Sequence, residues 1–368
     1  MKSQTEIVTL GNGQLGLMLG RAAKKLQIPF AALSLPEAWS WINSRTDFAN
    51  VLVTFEQEHV DEKLLQAIEA KGCASFPSWK SFSILKSKLA QKNFLRSQHL
   101  PTSDFLPVQP WSAKCDDFIR QKNGAVLKAG RGGYDGKGVW IVDANSQSRD
   151  GAANLVATHL EQPYLEEKVA FDFELAAVVC RSANGQIELY PTVKSLQKEG
   201  ICFQVEYTSE FAQSPLALEA GKIATKIAEA LDYVGVLAVE FFAQGTQLFV
   251  NEIAPRVHNS GHFTIDVCEG SQFENHLLAG LGHPLRKAEP THGAALMVNL
   301  LWPAESHDFA SLYTRLTCGP QWPENVKLHW YGKSEARPRR KMGHFTIYGN
   351  DIALCKKEAD QILASRWA

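Results

Sequence analysis

Lys128-Ala129-Gly130-Arg131-Gly132-Gly133-Tyr134-Asp135-Gly136-Lys137-Gly138 holds five glycines in the nine residues from Gly130 and lies between two strand-like runs, 125–128 and 139–142. A Walker A loop is excluded, because Arg131 stands where its first glycine belongs and Gly138 where its Ser or Thr belongs. Strand, glycine loop, strand instead suits a flexible cover over a triphosphate, with Lys128 reaching the phosphates as a point charge. An exposed hairpin loop is the plainer alternative, but it requires neither so many glycines nor the flanking Lys and Arg.

Upstream of this loop the texture is α/β. Residues 7–10 are β-rich, Gly11-Asn12-Gly13-Gln14-Leu15-Gly16 punctuates them, and 17–26 carry helical periodicity. Strand, glycine turn and helix form the dinucleotide-fingerprint pattern, where bare backbone N–H groups approach a phosphate. Alone it is a weak signal: a ligand-free tight turn has the same form, and Glu37 is the nearest candidate for the acidic residue expected farther on. Apolar runs at 28–33 and 51–55 read as further strands, and 61–71 and 81–98 as helical. Pro101 then breaks the chain, which places a boundary near residue 97.

Downstream, alternating runs at 173–180 and 187–190 predict an antiparallel sheet, followed by a polar stretch at 195–208 and an amphipathic helix at 216–231. Two strand patterns at 234–242 and 247–253 are joined by the hairpin signal Ala243-Gln244-Gly245-Thr246. Glu240 lies within the first and Asn251-Glu252 ends the second. A carboxylate inside so apolar a run is costly unless paired or metal-bound. Glu240, Glu252 and Asn251 offer the hard oxygen ligands that Mg²⁺ takes while bridging nucleotide phosphates; a glutamate paired with a lysine at a sheet edge is the alternative. Arg256, His258 and Asn259 follow in a donor-rich loop able to fork onto a carboxylate or phosphate and orient an oxyanion. Residues 333–341 carry five bases and one acid, which suits either a phosphate-monoester clamp or a solvated basic loop. After residue 290 the chain is β-rich to 347, and 351–367 read as a closing helix.

The 368 residues suffice for two or three domains. With 38 Lys+Arg against 39 Asp+Glu the net charge is −1, so no global field argues for a nucleic-acid or anionic-membrane partner. Seven scattered cysteines without C-x-x-C spacing predict reduced packing thiols rather than a disulfide framework or zinc site. The opening residues lack a basic region leading into an apolar one, and no run reaches about 18 apolar residues. A soluble, cytoplasmic protein is expected.

Taken together, the strings resemble the ATP-grasp enzymes, and among them the N5-carboxyaminoimidazole ribonucleotide synthases of purine biosynthesis. They are Gly11 to Gly16, Thr54-Phe-Glu-Gln-Glu-His-Val60, Gly132-Gly-Tyr-Asp-Gly-Lys-Gly138, Asn251-Glu-Ile-Ala-Pro-Arg-Val-His-Asn-Ser-Gly-His262, Ser271-Gln-Phe-Glu274, and Arg337 through Arg340-Lys-Met-Gly-His344. They occur in family order and span nearly the whole chain.

The resemblance implies an α/β and α+β architecture in three parts. These are a Rossmann-like pre-ATP-grasp domain (1–97), an ATP-grasp domain with a mobile lid (98–290) and a small β-rich C-terminal domain (291–368). It implies an ATP-dependent carbon–nitrogen ligase using Mg²⁺, with Mn²⁺ as an alternative. Bicarbonate is phosphorylated to carboxyphosphate and the carboxyl group passes to 5-aminoimidazole ribonucleotide. A homodimer is implied by resemblance alone.

Carried over residue by residue, Lys88 and Lys128 contact ATP phosphates under the backbone of Gly132, Gly133 and Gly136. Glu166, Glu167 and Val169 lie at the hinge beside adenine, and Glu174 at the ribose. Glu240, Glu252 and Asn251 bind the metal, and Arg256, His258 and Asn259 surround bicarbonate or carboxyphosphate. Tyr134, Asp135 and Lys137 close over the imidazole ribonucleotide, whose phosphate falls to Gln14, Leu15, Lys333 and Arg340 and whose amine side falls to Glu56. The sequence departs from the family at Leu17 and Lys88, where Arg is common, and at Lys194-Ser195, where an Asn or His is expected near the nucleotide. The competing readings are another ATP-grasp carboxylate or formate ligase, a nucleotide-binding protein with weak turnover, and a nicotinamide-dependent dehydrogenase. The last leaves Lys128 to Gly138 and the Glu240/Glu252 pair without a role.

Overall fold

The computed structural model describes residues 5–132, 138–303, 309–317 and 321–367. Three sheets follow one another along the chain. The first is parallel, with β1 (Glu6–Leu10), β2 (Phe30–Leu33), β3 (Val51–Phe55) and β4 (Ala74–Ser75) in the order β2-β1-β3-β4. Both faces of β1 are covered: Ile7 packs with Leu15, Met18 and Leu19 of the helix Gln14–Leu26, while Val8 and Leu10 pack with Ala38 and Ile42 on the other side. That double burial explains why β1 reads as a continuous apolar run rather than an alternation.

The second sheet is antiparallel, with β5 (Phe105–Pro107), β6 (Ala125–Lys128), β7 (Val139–Val142) and β8 (Tyr164–Glu167) in the order β5-β8-β6-β7. The glycine-rich stretch links β6 to β7, as its flanking runs predict.

The third sheet has nine strands: β9 (Phe173–Arg181), β10 (Ile187–Leu189), β11 (Val193–Lys198), β12 (Ile201–Thr208), β13 (Gly235–Gln244), β14 (Gln247–Ala254), β15 (Ala294–Leu301), β16 (Val326–Trp330) and β17 (Lys341–Gly349). Their order is β14-β13-β9-β11-β12-β15-β17-β16, with β10 on β9. Because β12 pairs with β15, the last three strands extend the central sheet rather than forming one of their own. The helix Pro215–Ala230 lays Ala220, Ile223, Ala224 and Ile227 against Leu175, Ala177, Leu237 and Val239 of this sheet.

Two sequence expectations are corrected. The polar stretch at 195–208 is a hairpin, β11 and β12, turned at Glu199-Gly200 with both residues at positive φ (52° and 76°). Alternation of buried Ile201, Val205 and Tyr207 with more exposed partners was its signal, masked by the polar face of β11. The helical pattern at 81–98 is two helices, Trp79–Leu85 and Lys88–Ser97, separated where the Ser87 hydroxyl accepts from the Ala90 N–H at 3.3 Å. That break starts a new helix at Lys88 and so aims its first turn at the third sheet.

All six described cysteines are free, five of them buried. Among the described residues no helix is long and apolar enough to cross a membrane.

Candidate active site

The site is built on the hairpin β13–β14, whose register places Glu240 opposite Glu252. The next pair is Phe241 with Val250, so Asn251 is an extra residue, and a bulge sits at this point of the ladder. In an unbroken strand Asn251 and Glu252 would face opposite sides; a bulge re-aims side chains. Both thereby meet lysines of one site. Lys88 Nζ lies 2.6 Å from Glu252 Oε2, and Lys128 Nζ lies 3.2 Å from Asn251 Oδ1.

Two carboxylates so placed repel each other. Burial first, then Glu252 and Glu174, push the Glu240 carboxyl up to about 7. Glu252 goes the other way: burial is the largest influence and opposes its charge, but Lys88, Lys128 and Arg256 together hold the carboxyl below its ordinary range. Gln91, one turn from Lys88, fixes the strand beneath them, accepting from the Ile253 N–H at 2.8 Å and donating to the Ile253 carbonyl at 2.8 Å.

Arg256 and His258 follow directly on β14. Glu58 Oε1 lies 2.8 Å from Arg256 Nε and orients the guanidinium. Burial, with Arg256 and Lys341 adding to it, keeps the His258 imidazole neutral. Its Nδ1 lies 2.9 Å from the Ser260 hydroxyl and 3.3 Å from the Ser260 N–H, and its Nε2 points toward Glu240 Oε1 at 3.5 Å. Gln272 holds the loop's backbone, accepting from the His258 N–H at 2.9 Å and donating to the His258 carbonyl at 2.7 Å. Asn259 Oδ1 is buried and has no hydrogen-bond partner among the described residues, as suits an acceptor kept for a ligand.

On the nucleotide side, Glu166 is buried between Lys92 and Lys128, at 2.6 and 2.7 Å. Glu167 turns outward to Lys122 at 3.1 Å, and Val169 is half-buried in the segment after β8. Glu174 lies on β9, where burial raises its carboxyl against a hydrogen bond from Gln197. At the two departures from the family pattern, Lys194 packs its ammonium over the rings of Phe173 and Phe211 at 4.9 and 4.7 Å, and Ser195 pairs with Glu174.

Glu56 occupies the first glycine turn. Its carboxylate accepts from the Gly13 N–H at 2.7 Å and from the Gly16 N–H, and a Cβ on Gly11 would collide with its Cγ. An internal carboxylate therefore fills the place a dinucleotide phosphate would need, which disfavours the dehydrogenase reading. Beside it, Gln14 Oε1 accepts from Lys333 Nζ at 2.9 Å, while Leu15 packs its side chain into the core and offers only backbone. Arg340 turns to the Glu335 carbonyl at 2.8 Å. Gly132 is exposed at φ 81°, and Gly133, Tyr134, Asp135, Gly136 and Lys137 lie outside the described residues.

The sequence pattern of the ATP-grasp domain matches residues 93–273, and that of the phosphoribosylaminoimidazole carboxylase C-terminal domain matches 295–358. An N5-carboxyaminoimidazole ribonucleotide synthase of Synechococcus elongatus is 35% identical over 92% of this chain and 88% of its own length. The chain belongs to the N5-carboxyaminoimidazole ribonucleotide synthase family. The synthetase of Thermus thermophilus superposes with a TM-score of 0.82 at 31% identity, covering 98% of each chain. The Aspergillus clavatus synthase, solved with ADP and 5-aminoimidazole ribonucleotide, gives 0.84 at 27% identity, covering 99% of each chain.

Four polar residues of this synthase-family site escaped the sequence reading of roles: Glu58, Gln91, Lys92 and Gln272. Glu58 and Gln272 stood inside quoted motifs, but nothing in a single sequence distinguishes a side chain that holds another from one that meets a ligand.

Proposed function

We propose that this protein carboxylates 5-aminoimidazole ribonucleotide with ATP and bicarbonate, giving N5-carboxyaminoimidazole ribonucleotide, ADP and phosphate. The observation that carries the reading is the convergence on one hairpin of Glu240, Glu252 and Asn251 with Lys88, Lys128, Arg256 and His258. Lysines neutralise the triphosphate while an oxygen of bicarbonate attacks its γ-phosphorus and ADP leaves. Arg256 and neutral His258 hold the resulting carboxyphosphate. The amine nitrogen then forms its bond to the carboxyl carbon as the bond from that carbon to the phosphate oxygen breaks, and the departing phosphate takes up the proton the nitrogen loses. Positioning and exclusion of water supply the acceleration, because carboxyphosphate hydrolyses when exposed. Lys333 and Gln14, with Arg340 after reorientation, serve the ribonucleotide phosphate.

Mg²⁺ fits the donor set. No group of three or more His, Cys, Asp and Glu side chains that could hold a metal occurs among the described residues. Two carboxylates and an amide that need phosphate oxygens to complete the shell suit an ion that prefers this sharing. When bound, it neutralises charge on the transferring phosphoryl group.

Because the Glu240 carboxyl sits near 7, metal entry below that pH must displace a proton. Apparent Mg²⁺ affinity in the presence of ADP is expected to fall up to about tenfold per pH unit as pH drops from 7 to 6. Flat affinity across that interval, measured by calorimetry, would remove Glu240 from the ligand set.

The test of the function is ADP release from Mg-ATP with and without bicarbonate and the ribonucleotide. ADP formation indifferent to the ribonucleotide sinks the substrate assignment. The division into 1–97, 98–290 and 291–368, the cytoplasmic location and the homodimer belong to the same family reading.

A further inference from the structure

Lys92 is among the most deeply buried side chains of the molecule, 1% exposed, one helical turn after Lys88. Its ammonium meets Glu166 Oε1 at 2.6 Å, Thr102 Oγ1 at 2.8 Å, Ser103 Oγ at 3.0 Å and the Val250 carbonyl at 3.2 Å. With its donors consumed and no access to solvent, Lys92 cannot touch a ligand.

The other oxygen of Glu166 faces Lys128 at 2.7 Å, and Lys128 also reaches Asn251 of the metal hairpin. Among the groups in direct contact there are thus two ammonium groups and one carboxylate, so Glu166 is shared between two cations. Without Lys92 the remaining Glu166–Lys128 pair is neutral. Drawing Lys128 to a phosphate would then strand a buried carboxylate, which is strongly unfavourable.

We propose that Lys92 is a positioning residue: it keeps Glu166 neutralised so that Lys128 is released to the nucleotide phosphate. The proposal rests on Lys128 being a phosphate ligand, as read above. Consistent with a carboxylate doubly held, burial would raise Glu166, yet Lys128 and Lys92 bring it down to about 2.

Calorimetric titration of the full chain with Mg-ATP in bicarbonate-free buffer tests this on four variants. Lys128→Met tests the underlying reading and is expected to weaken binding; binding unchanged from the parent overturns that reading and the proposal with it. Lys92→Met is expected to weaken binding roughly tenfold or more. Glu166→Gln removes the charge that Lys92 serves, so Glu166→Gln with and without Lys92→Met should bind Mg-ATP within about twofold of each other. Any effect of Glu166 on adenine cancels in that comparison, and if Lys92→Met alone does not fold, a loss of more than about threefold on adding Lys92→Met to Glu166→Gln overturns the proposal, whereas recovery of the fold in the double variant supports the Lys92–Glu166 charge coupling. Equal loss from Lys92→Met in both backgrounds means a merely structural role and overturns the proposal, as does a folded Lys92→Met that binds like the parent.

Discussion

Glu252→Gln is expected to lower Mg-dependent ADP formation by about three orders of magnitude while leaving the fold in place. The change is isosteric, so Asn251, the bulge and the hairpin register have no reason to move. Two effects act together. The site loses one of its two facing carboxylates, and Lys88 loses the partner at 2.6 Å that fixes its ammonium. The same change relieves part of the repulsion that, after burial, holds Glu240 up, so Glu240 should titrate below 7 in the variant. Glu252 and Lys88 are both partly exposed, and such a pair contributes only about 0–1 kcal/mol to stability. The melting temperature should therefore shift by no more than about 3 °C. Coupled measurement of ADP release across a Mg²⁺ titration, beside thermal unfolding, checks both halves. Turnover within tenfold of the parent in a folded variant would mean that Glu252 is not a metal ligand.

The sequence disclosed the site through residue types that are expensive where they stand. A glutamate within the apolar run of β13, lysine beside a glycine-rich loop, and Arg, His and Asn packed behind Pro255 all announce chemistry by their types alone. The fold of the first part was equally open, because parallel strands buried on both faces leave continuous apolar runs between helices. Register was closed to it: the bulge at Glu240/Phe241 that turns Asn251 and Glu252 to one side depends on how two strands align, and nothing local encodes that. β11 and β12 were hidden for a related reason, since the exposed face of β11 dilutes its strand pattern. The supporting side chains were hidden most completely. Lys92 lies 74 positions from Glu166 in sequence and Gln272 lies 14 from His258, and only tertiary folding brings these partners together.

Gln272→Leu is expected to cost about 3 kcal/mol of stability and about a hundredfold in kcat/KM for bicarbonate. Its amide ties the His258 backbone to the helix Gln272–Gly280 through both oxygen and nitrogen, and its Nε2 also lies 3.1 Å from His262 Nδ1. Leucine fills similar volume but leaves a part-buried N–H and carbonyl and a buried imidazole nitrogen unpaired, each costing up to about 1–3 kcal/mol before relaxation. Gly261 adds to the constraint, because a Cβ there would come within 2.6 Å of the Gln272 side chain. Loss of catalysis through a displaced loop is separable from simple destabilisation by a second variant, Gln272→Glu. When protonated, the introduced carboxyl reproduces the amide's pattern, accepting from the His258 N–H and donating to its carbonyl. When ionised it cannot donate, and burial penalises its charge. Its folded-state pKa is therefore raised above the unfolded value, so the deficit relative to the parent is present above the folded pKa and shrinks as pH falls toward the unfolded one. Urea unfolding of parent, Gln272→Glu and Gln272→Leu from pH 8 to 5 reads this directly. The leucine deficit should stay constant while the glutamate deficit narrows, and two parallel deficits would show that the amide does not hold the His258 backbone.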